Sequence, residues 1–332
     1  AQNELELQES VLASSGNVLQ RVRELVIQAN NATQSSQTRA AIADEISNLA
    51  DELLQLSNSK SPSGEYIFAG YNSRTPAFAK SGTSYVYQGD QGQRLLQVSE
   101  DTQLAVRDNG ADLFQGMLTG DSRFLLTTPN SNLGDGLVKM SSAIDSVSDN
   151  YTVTFIQTGP DDPLLYSVFG ENSGVVKTGT YQSGEAINFN GVSMQIEGAP
   201  KNGDSYQVIR SVRQDVFQSV QSIADALSAG TETAAKSSKL FNDLGQSIST
   251  MDQALEHLQS RRTIVGNRLQ ALDTRADENA NGLLRLERQT SELNDLDFAE
   301  AVSRLNLQTT ALQAAQQSYV KIQGLSLFNY LR

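Results

Sequence analysis

Apolar residues recur from Leu244 to Leu293 at spacings that alternate between four and three residues. This heptad pattern is typical of a helix that buries one stripe against other helices. No proline interrupts it, which predicts one continuous helix roughly 75 Å long at ~1.5 Å of rise per residue. We expect the stripe to be buried within the chain as a seam of Leu244, Ile248, Leu255, Leu258, Leu269, Leu272, Leu283 and Leu286.

Polar residues interrupt this seam at Arg262, Asn279 and Thr290. A polar group at a core position can fix the register of paired helices at a cost in stability. Arg262 and Asn279 are therefore candidate register residues. The alternative is simple exposure at the edge of the bundle.

Two shorter seams near the start of the chain offer partners for the long helix. Apolar residues from Val11 to Ala32, and then from Ile42 to Leu56, keep the same alternation. A polar, helix-poor stretch separates them, so two antiparallel helices are predicted near residues 3–31 and 37–58.

Beyond the second helix the apolar and aromatic residues fall into short bursts. YIFAG, SYVYQG, RLLQVS and LAVRDNG indicate short strands or hairpins, and residues 111–117 one or two helical turns. Residues 150–212 alternate like strands separated by turn sequences, which predicts an antiparallel β module. Residues 133–147 fit a helix leading into it, and residues 216–227 fit a helix that stops at Gly230.

The predicted fold class is α+β. Its N- and C-terminal segments would form a long antiparallel helical bundle, or coiled coil, and the chain between them an inserted antiparallel β-rich domain. Residues 1–112 and 214–294 would make the inner bundle with short β-hairpins, residues 113–213 the outer domain, and residues 295–332 a C-terminal assembly helix.

The heptad register breaks at a five-residue step from Leu293 to Phe298, which predicts a bend, a break or a change of partner. Asp295 and Asp297 fit a helix terminus. Exposed apolar helices are unusual in soluble monomers, so we expect the last helix to be buried by other segments or subunits. Its candidate assembly residues are Phe298, Val302, Leu305, Leu312, Tyr319, Leu325 and Phe328.

Composition excludes several classes of function. The 332 residues carry a formal net charge of -13, without the concentrated basic surface that nucleic-acid phosphates require. The chain has no cysteine, which excludes disulfides and thiolate chemistry. No apolar run approaches the ~18 residues of a membrane span, and no cleavable signal peptide opens the chain. Because Ala1 falls in mid-helical pattern, an upstream segment is expected to be missing.

No catalytic or metal-binding constellation stands out, and no cofactor is predicted. His257 is the single histidine and has no cysteine to complete a metal site. Asp161 and Asp162 lack the alternating oxygen ligands of a calcium loop, and Asp90 lacks the lysine of a phosphate cradle, so turns explain them. An acid–base pair would have to come from carboxylates spread over turns, namely Asp161, Glu171, Glu185, Glu197 and Asp204.

Three segments are similar to blocks of one known superfamily. They are SGEYIFAGYNSRTPAF at 63–78, VYQGDQGQRLLQVSEDTQLAVRDNGADLF at 86–114 and DLDFAEAVSRLNLQTTALQAAQQSYVKIQGLSLFNYLR at 295–332. The chain resembles the flagellin superfamily, and within it the family of hook–filament junction proteins. Major flagellins usually carry an Asn-Gly-centred pattern where this chain has YIFAG, which favours the junction family.

The resemblance implies a structural component of the bacterial flagellum that joins the hook side to the flagellin filament, and not an enzyme. Its partners would be copies of itself in a ring, the first hook–filament junction protein, flagellin, and an export chaperone before secretion. It would be extracellular, exported by the flagellar type III secretion apparatus, and would bind neither nucleic acid nor membrane. Family members also carry a segment before the first long helix that pairs with the C-terminal helix.

Two alternatives stay open. One is the major flagellin of the filament. The other belongs to a different class, a surface glycan-binding or glycan-active β domain on a coiled-coil stalk.

Overall fold

A computed structural model describes residues 1–99, 102–143, 149–294 and 298–324. The helices are α1 (Gln2–Ala29), α2 (Ser36–Ser57), α3 (Gly110–Phe114), α4 (Val216–Ser228), α5 (Ala234–Asn294) and α6 (Phe298–Gly324). The strands are β1 (Phe78–Ser81), β2 (Ser84–Tyr87), β3 (Leu95–Ser99), β4 (Thr102–Ala105), β5 (Met117–Leu118), β6 (Phe124–Thr127), β7 (Leu137–Ala143), β8 (Tyr151–Ile156), β9 (Leu165–Gly170), β10 (Gly174–Thr180), β11 (Ala186–Phe189), β12 (Val192–Glu197), β13 (Ser205–Arg210) and β14 (Arg213–Gln214). The chain forms two compact units, Ala1–Leu272 and Asp273–Arg332.

The predicted fold class is confirmed, with long helices at both ends of the chain and antiparallel sheets inserted between them. Heptad spacing explains α1, where Leu5, Leu12, Leu19 and Val26 lie seven residues apart and are all fully buried. α2 begins at an N-cap, because the Ser35 hydroxyl accepts a hydrogen bond from the backbone N–H two residues into the helix.

One hydrophobic core, the bundle core, joins α1, α2, α4 and the part of α5 up to Val265. Ion pairs fix how the helices run. The Arg262 guanidinium on α5 bonds Glu9 on α1 at 2.6 Å, and Arg23 on α1 bonds Asp252 on α5 at 2.5 Å. From the first pair to the second, the residue number rises along α1 and falls along α5, so these two helices are antiparallel.

The YIFAG segment is not a strand, contrary to the sequence prediction. Its central residues Ile67, Phe68 and Ala69 are buried in a turn-rich stretch, and only Tyr66 makes an isolated bridge. The Phe68 carbonyl accepts hydrogen bonds from the Gly110 N–H at 2.7 Å and from a tyrosine hydroxyl at 2.9 Å. These contacts to later segments replace a strand ladder, which a local pattern cannot show.

The β module, strands β6 to β13, has its own core. Its five-stranded sheet has the order β10-β9-β8-β13-β6, its three-stranded sheet the order β11-β12-β7, and every pair is antiparallel. Alternation explains the packing, since β8 turns Tyr151, Val153 and Phe155 into this core. Asn190 and Gly191 both have positive φ and make the tight turn between β11 and β12.

The helix predicted for residues 133–147 is wrong. Leu137–Ala143 is β7, which pairs with β12, and Val138 is buried in the β core. Pairing with a distant strand overrides the local helical spacing here. Residues 144–148 lie outside the described residues.

A stripe of polar residues on α5 forms hydrogen bonds to the β module and the segment before it. Ser238, Asn242, Gln246 and Thr250 lie one helical turn apart, and each bonds a backbone group in residues 120–138. Asn242 is buried; its amide accepts from the Val138 N–H at 2.9 Å and donates to the Gly136 carbonyl at 3.0 Å. The helix therefore contacts two cores with two different faces.

The bundle core also takes in Leu113, Phe114 and Met117, which the sequence had assigned to the inserted domain. In the second unit none of the described residues is buried. No described helix of either unit is long and apolar enough to cross a membrane.

Candidate assembly surface

α6 presents an apolar stripe to solvent. Phe298, Val302, Leu305, Leu312 and Tyr319 fall on heptad positions, and their side chains are exposed, from 46% at Val302 to 77% at Phe298. Since residues at this spacing share one helix face, the stripe has the form of a coiled-coil seam that none of the described residues covers. The other two candidate assembly residues, Leu325 and Phe328, lie outside the described residues.

The exposed apolar surface of α6 is wider than the predicted stripe. Leu307, Val320 and Ile322 are also exposed, although they lie off the heptad positions. Heptad spacing does not reveal them, because it follows one helix face only. A helix with apolar groups on several faces can pack against more than one partner helix.

The seam of α5 divides into a buried and an exposed part. Leu244 and Leu258 are buried, and Ile248, Leu255 and Leu269 pack at the edge of the bundle core. Leu272 is half-buried. At the remaining two positions the structure differs from the predicted intramolecular seam, since Leu283 is 61% and Leu286 60% exposed. The exposed apolar surface of the second unit thus includes the end of α5.

The two candidate register residues have different surroundings. Arg262 makes a two-pronged contact with Glu9, its Nε and Nη2 atoms donating to one carboxylate oxygen at 2.9 and 2.6 Å. This contact can hold α1 and α5 in register, although both side chains are one-third exposed. Asn279 lies on the exposed part of α5. For both residues the register role stays a prediction.

A buried ion network, not foreseen from the sequence, ties α1 to the segments that follow α2. Arg107 is only 5% exposed and donates to Glu4 at 2.6 Å and to Glu65 at 2.8 Å. The neighbouring Asp108 accepts from Arg268 on α5 at 2.7 Å. The Arg107 guanidinium holds the pKa of Glu65 below its ordinary value. The signal was present as the RD pair of LAVRDNG, which the strand interpretation passed over.

The residues considered for chemistry have structural partners. Burial lowers the pKa of His257, whose Nε2 lies 2.8 Å from the Asp112 carbonyl and so bridges α5 and α3. The buried Asp204 accepts from the N–H groups of Leu133, Gly134 and Lys201 at 2.7 to 2.9 Å. Among the described residues no three His, Cys, Asp or Glu side chains are grouped so that they could hold a metal ion.

The turn carboxylate Asp90 is held in the same way. Asp90 accepts from the Tyr71 and Gly92 N–H groups, which lowers its pKa. Of the remaining carboxylates considered for acid–base work, Glu171 accepts from Asn150, Glu197 pairs with Lys139 at 3.7 Å, and Asp161 and Glu185 are exposed.

Long helices at both ends of the chain, inserted β sheets and an exposed coiled-coil stripe on α6 agree with the flagellin class of proteins. The bacterial flagellin N-terminal helical region matches residues 1–73, and the bacterial flagellin C-terminal helical region matches residues 248–331.

Solved structures narrow the class. FlgL of Xanthomonas campestris is 34% identical with a TM-score of 0.80, over 88% of this chain and 94% of that one. Flagellar hook associated protein-3 of Legionella pneumophila is 30% identical with a TM-score of 0.84, over 89% and 93%. Flagellar hook-associated protein 3 of Escherichia coli K12 is 24% identical over 99% of this chain and 77% of its own length. The chain belongs to the FlgL family of flagellar junction proteins, which confirms the family predicted from its sequence.

Proposed function

We propose that this chain is the structural subunit that joins the hook side of a bacterial flagellum to its flagellin filament, and that it acts by assembly and not by catalysis. The observation that carries the proposal is the exposed apolar stripe of α6 in a chain of the FlgL family. Burying one such side chain contributes about 1.5–3 kcal/mol, so a stripe of this length gives a strong drive to associate.

The partners follow from that role. Copies of this chain would form a ring between the first hook–filament junction protein on one side and flagellin on the other. An export chaperone would cover the stripe before secretion, because an exposed apolar helix invites aggregation. The flagellar type III apparatus would export the chain to the flagellum outside the cell.

Each part of the fold has a place in this proposal. Residues 1–112 and 214–294 serve as the inner bundle, together with Leu113, Phe114 and Met117, which lie in the bundle core. The rest of residues 113–213 serve as the outer domain, and residues 295–332 as the assembly helix. The surroundings of Asp204 favour assembly over glycan catalysis. Three backbone N–H groups bind its carboxylate, which therefore has a structural role.

Deleting the coding region tests the role directly. Flagellin should then be exported but shed unpolymerised into the medium, and cells should lose their filaments. A strain that still builds filaments would reject the junction role. A second experiment separates the major-flagellin alternative, because a filament subunit purified alone should polymerise into long filaments, whereas a junction protein should not.

Substitutions in α6 test the surface. Replacing Leu305 and Leu312 together by Ser should leave the far-ultraviolet circular dichroism of the bundle unchanged, because neither side chain is buried, yet abolish incorporation at the filament base. Leu133→Ser is the control, an exposed leucine in the first unit that should be tolerated. Normal assembly of the double variant would show that α6 is not the assembly surface.

A further inference from the structure

The five-stranded sheet of the β module has an outer face that turns away from the β core. Two cross-strand rows on this face carry most of its apolar residues. Phe169 pairs with Thr152 and Val175 in one row, and Leu165 pairs with Ile156 and Thr180 in the other. Phe169 is 50% and Val175 65% exposed, so apolar surface is open to solvent at the end of the sheet where β10 lies.

The row between them contains only small hydroxyl side chains, with Ser167 paired to Thr154 and Thr178. No charged residue occurs in these three rows, whereas 19% of the chain is charged and its net charge is -13. Two copies of so acidic a chain repel each other over most of their surfaces. Two copies can therefore contact each other through an uncharged face with less repulsion. A basic partner protein would instead bind an acidic surface.

The size of the face limits what it can do alone. At ~4.8 Å between strands and ~3.4 Å per residue, five strands of about five residues cover roughly 400 Å². A stable two-protein interface needs about 800 Å² from each partner. The face is therefore too small to hold a dimer in solution, but it adds to binding once another contact keeps two copies side by side.

β10 is one of the two edge strands of this sheet, and the other is β6. The register of its pairing with β9 shifts between Val175 and Lys177, where a bulge interrupts the strand. Bulges blunt an edge against strand-to-strand pairing. Contact through the face is thus favoured over addition of a strand at the edge.

We propose that the outer face of the five-stranded sheet is a lateral contact surface for a neighbouring copy of this chain in the assembled flagellum. The proposal rests on the junction function proposed above. The stripe of α6 supplies the main association, and the sheet face fixes how neighbouring copies sit beside each other.

Photo-crosslinking in intact flagella tests this contact. The full chain with p-benzoylphenylalanine in place of Phe169 is expressed in cells that lack the native copy, and isolated flagella are irradiated. An adduct at about twice the monomer mass of 35.9 kDa, containing only this chain, is expected. The same photo-reactive residue at Leu133, exposed but outside the sheet, is the matched control and should give little of it. Adding Thr154→Glu should lower the adduct at least about tenfold, because an unpaired charge would be buried.

The outcomes separate the two proposals. If the chain is present in flagella but its adduct contains flagellin or another protein, or no adduct forms, the lateral contact is wrong and the junction function stands. Equal self-adducts from Phe169 and Leu133 also overturn the contact, because they indicate proximity without a specific surface. If the chain is absent from the flagella, both proposals fail.

Discussion

Arg107 shows how one buried charge can order several segments. Its guanidinium bonds Glu4 and Glu65, which stay partly exposed. Arg107→Met should cost about 2 kcal/mol of unfolding free energy, below the usual 3–5 kcal/mol for breaking a buried pair, because water still reaches both carboxylates. Arg94→Met is the control. Arg94 approaches the same two carboxylates at 3.4 and 3.5 Å, but it is exposed, so less than about 1 kcal/mol is expected. Urea unfolding measures both.

The same pair predicts a pH dependence. Arg107 lowers the pKa of Glu65 in the folded chain. The ion pair therefore stabilises the folded chain fully above the pKa of Glu65 in the unfolded chain, about 4.3. This stabilisation is lost as the pH falls through the lower pKa of Glu65 in the folded chain. The stability gap between the native chain and Arg107→Met should therefore narrow from pH 7 to pH 3. A gap of constant size would mean that packing, and not charge, makes Arg107 important.

Asp215 has two opposing roles at the start of α4. Its carboxylate caps the helix by accepting from the Gln218 N–H, while burial raises its pKa above the ordinary value. A raised carboxyl pKa destabilises the folded state at neutral pH, and this cost disappears below the unfolded pKa of about 3.9.

Substitution separates these roles. Asp215→Asn keeps an oxygen for the cap and removes the charge, so at pH 7 it should be at least as stable as the native chain, with the gain vanishing near pH 3. Asp215→Ala should lose about 1 kcal/mol, because it removes the cap. Thermal unfolding across this pH range measures both variants, and Asn proving less stable than Ala would contradict the assignment.

At the scale of elements, α5 carries one seam with two environments. Leu258→Ala should cost about 2–5 kcal/mol, because it opens a cavity in the bundle core. Leu283→Ala on the same helix should change the unfolding free energy by less than about 0.5 kcal/mol, because Leu283 is exposed. Urea unfolding gives both values. A similar cost at both sites would mean that Leu283 is buried in the folded subunit after all.

Much of the fold could be predicted because its helices are long and periodic. The seams predicted α1 and α2 nearly to their ends and the C-terminal end of α5, although α5 begins at Ala234, ten residues before the predicted Leu244. Alternation predicted β8 to β13. β7 was missed because its pairing with β12 is a long-range contact that leaves no local mark. The stripe of α6 could be predicted by heptad spacing, but its environment could not, since a heptad looks the same whether its partner is in the same chain or another.

The ion network of Arg107 and the outer sheet face could not be predicted from the sequence, for another reason. Both depend on residues brought together from separate segments. Glu4, Glu65 and Arg107 meet only once α1 packs on the later loops, and the uncharged rows exist only in the register of β8, β9 and β10.

At the scale of the first unit, the polar stripe of α5 couples the bundle core to the β core. Its four side chains form hydrogen bonds to backbone groups in residues 120–138, namely those of Ser238, Asn242, Gln246 and Thr250. Asn242 is the central link, because its amide is buried and satisfies backbone groups of β7 and the preceding turn. The junction role proposed above would require the two cores to move together, and this stripe is where the coupling can be measured.

Asn242→Ala should uncouple the two cores. It leaves the Val138 N–H unpaired in a buried site, at about 1–3 kcal/mol. The Gly136 carbonyl loses one of its two donors and keeps the Tyr206 hydroxyl at 3.2 Å. Native-state hydrogen exchange should then show amides of β6 to β13 opening at lower denaturant than those of α1 and α2, whereas in the native chain both sets open together. Asn281→Ala, at an exposed asparagine on the same helix, is the control and should keep the single opening. If Asn242→Ala lowers the protection of both cores equally, the stripe adds stability but is not what makes them one cooperative unit.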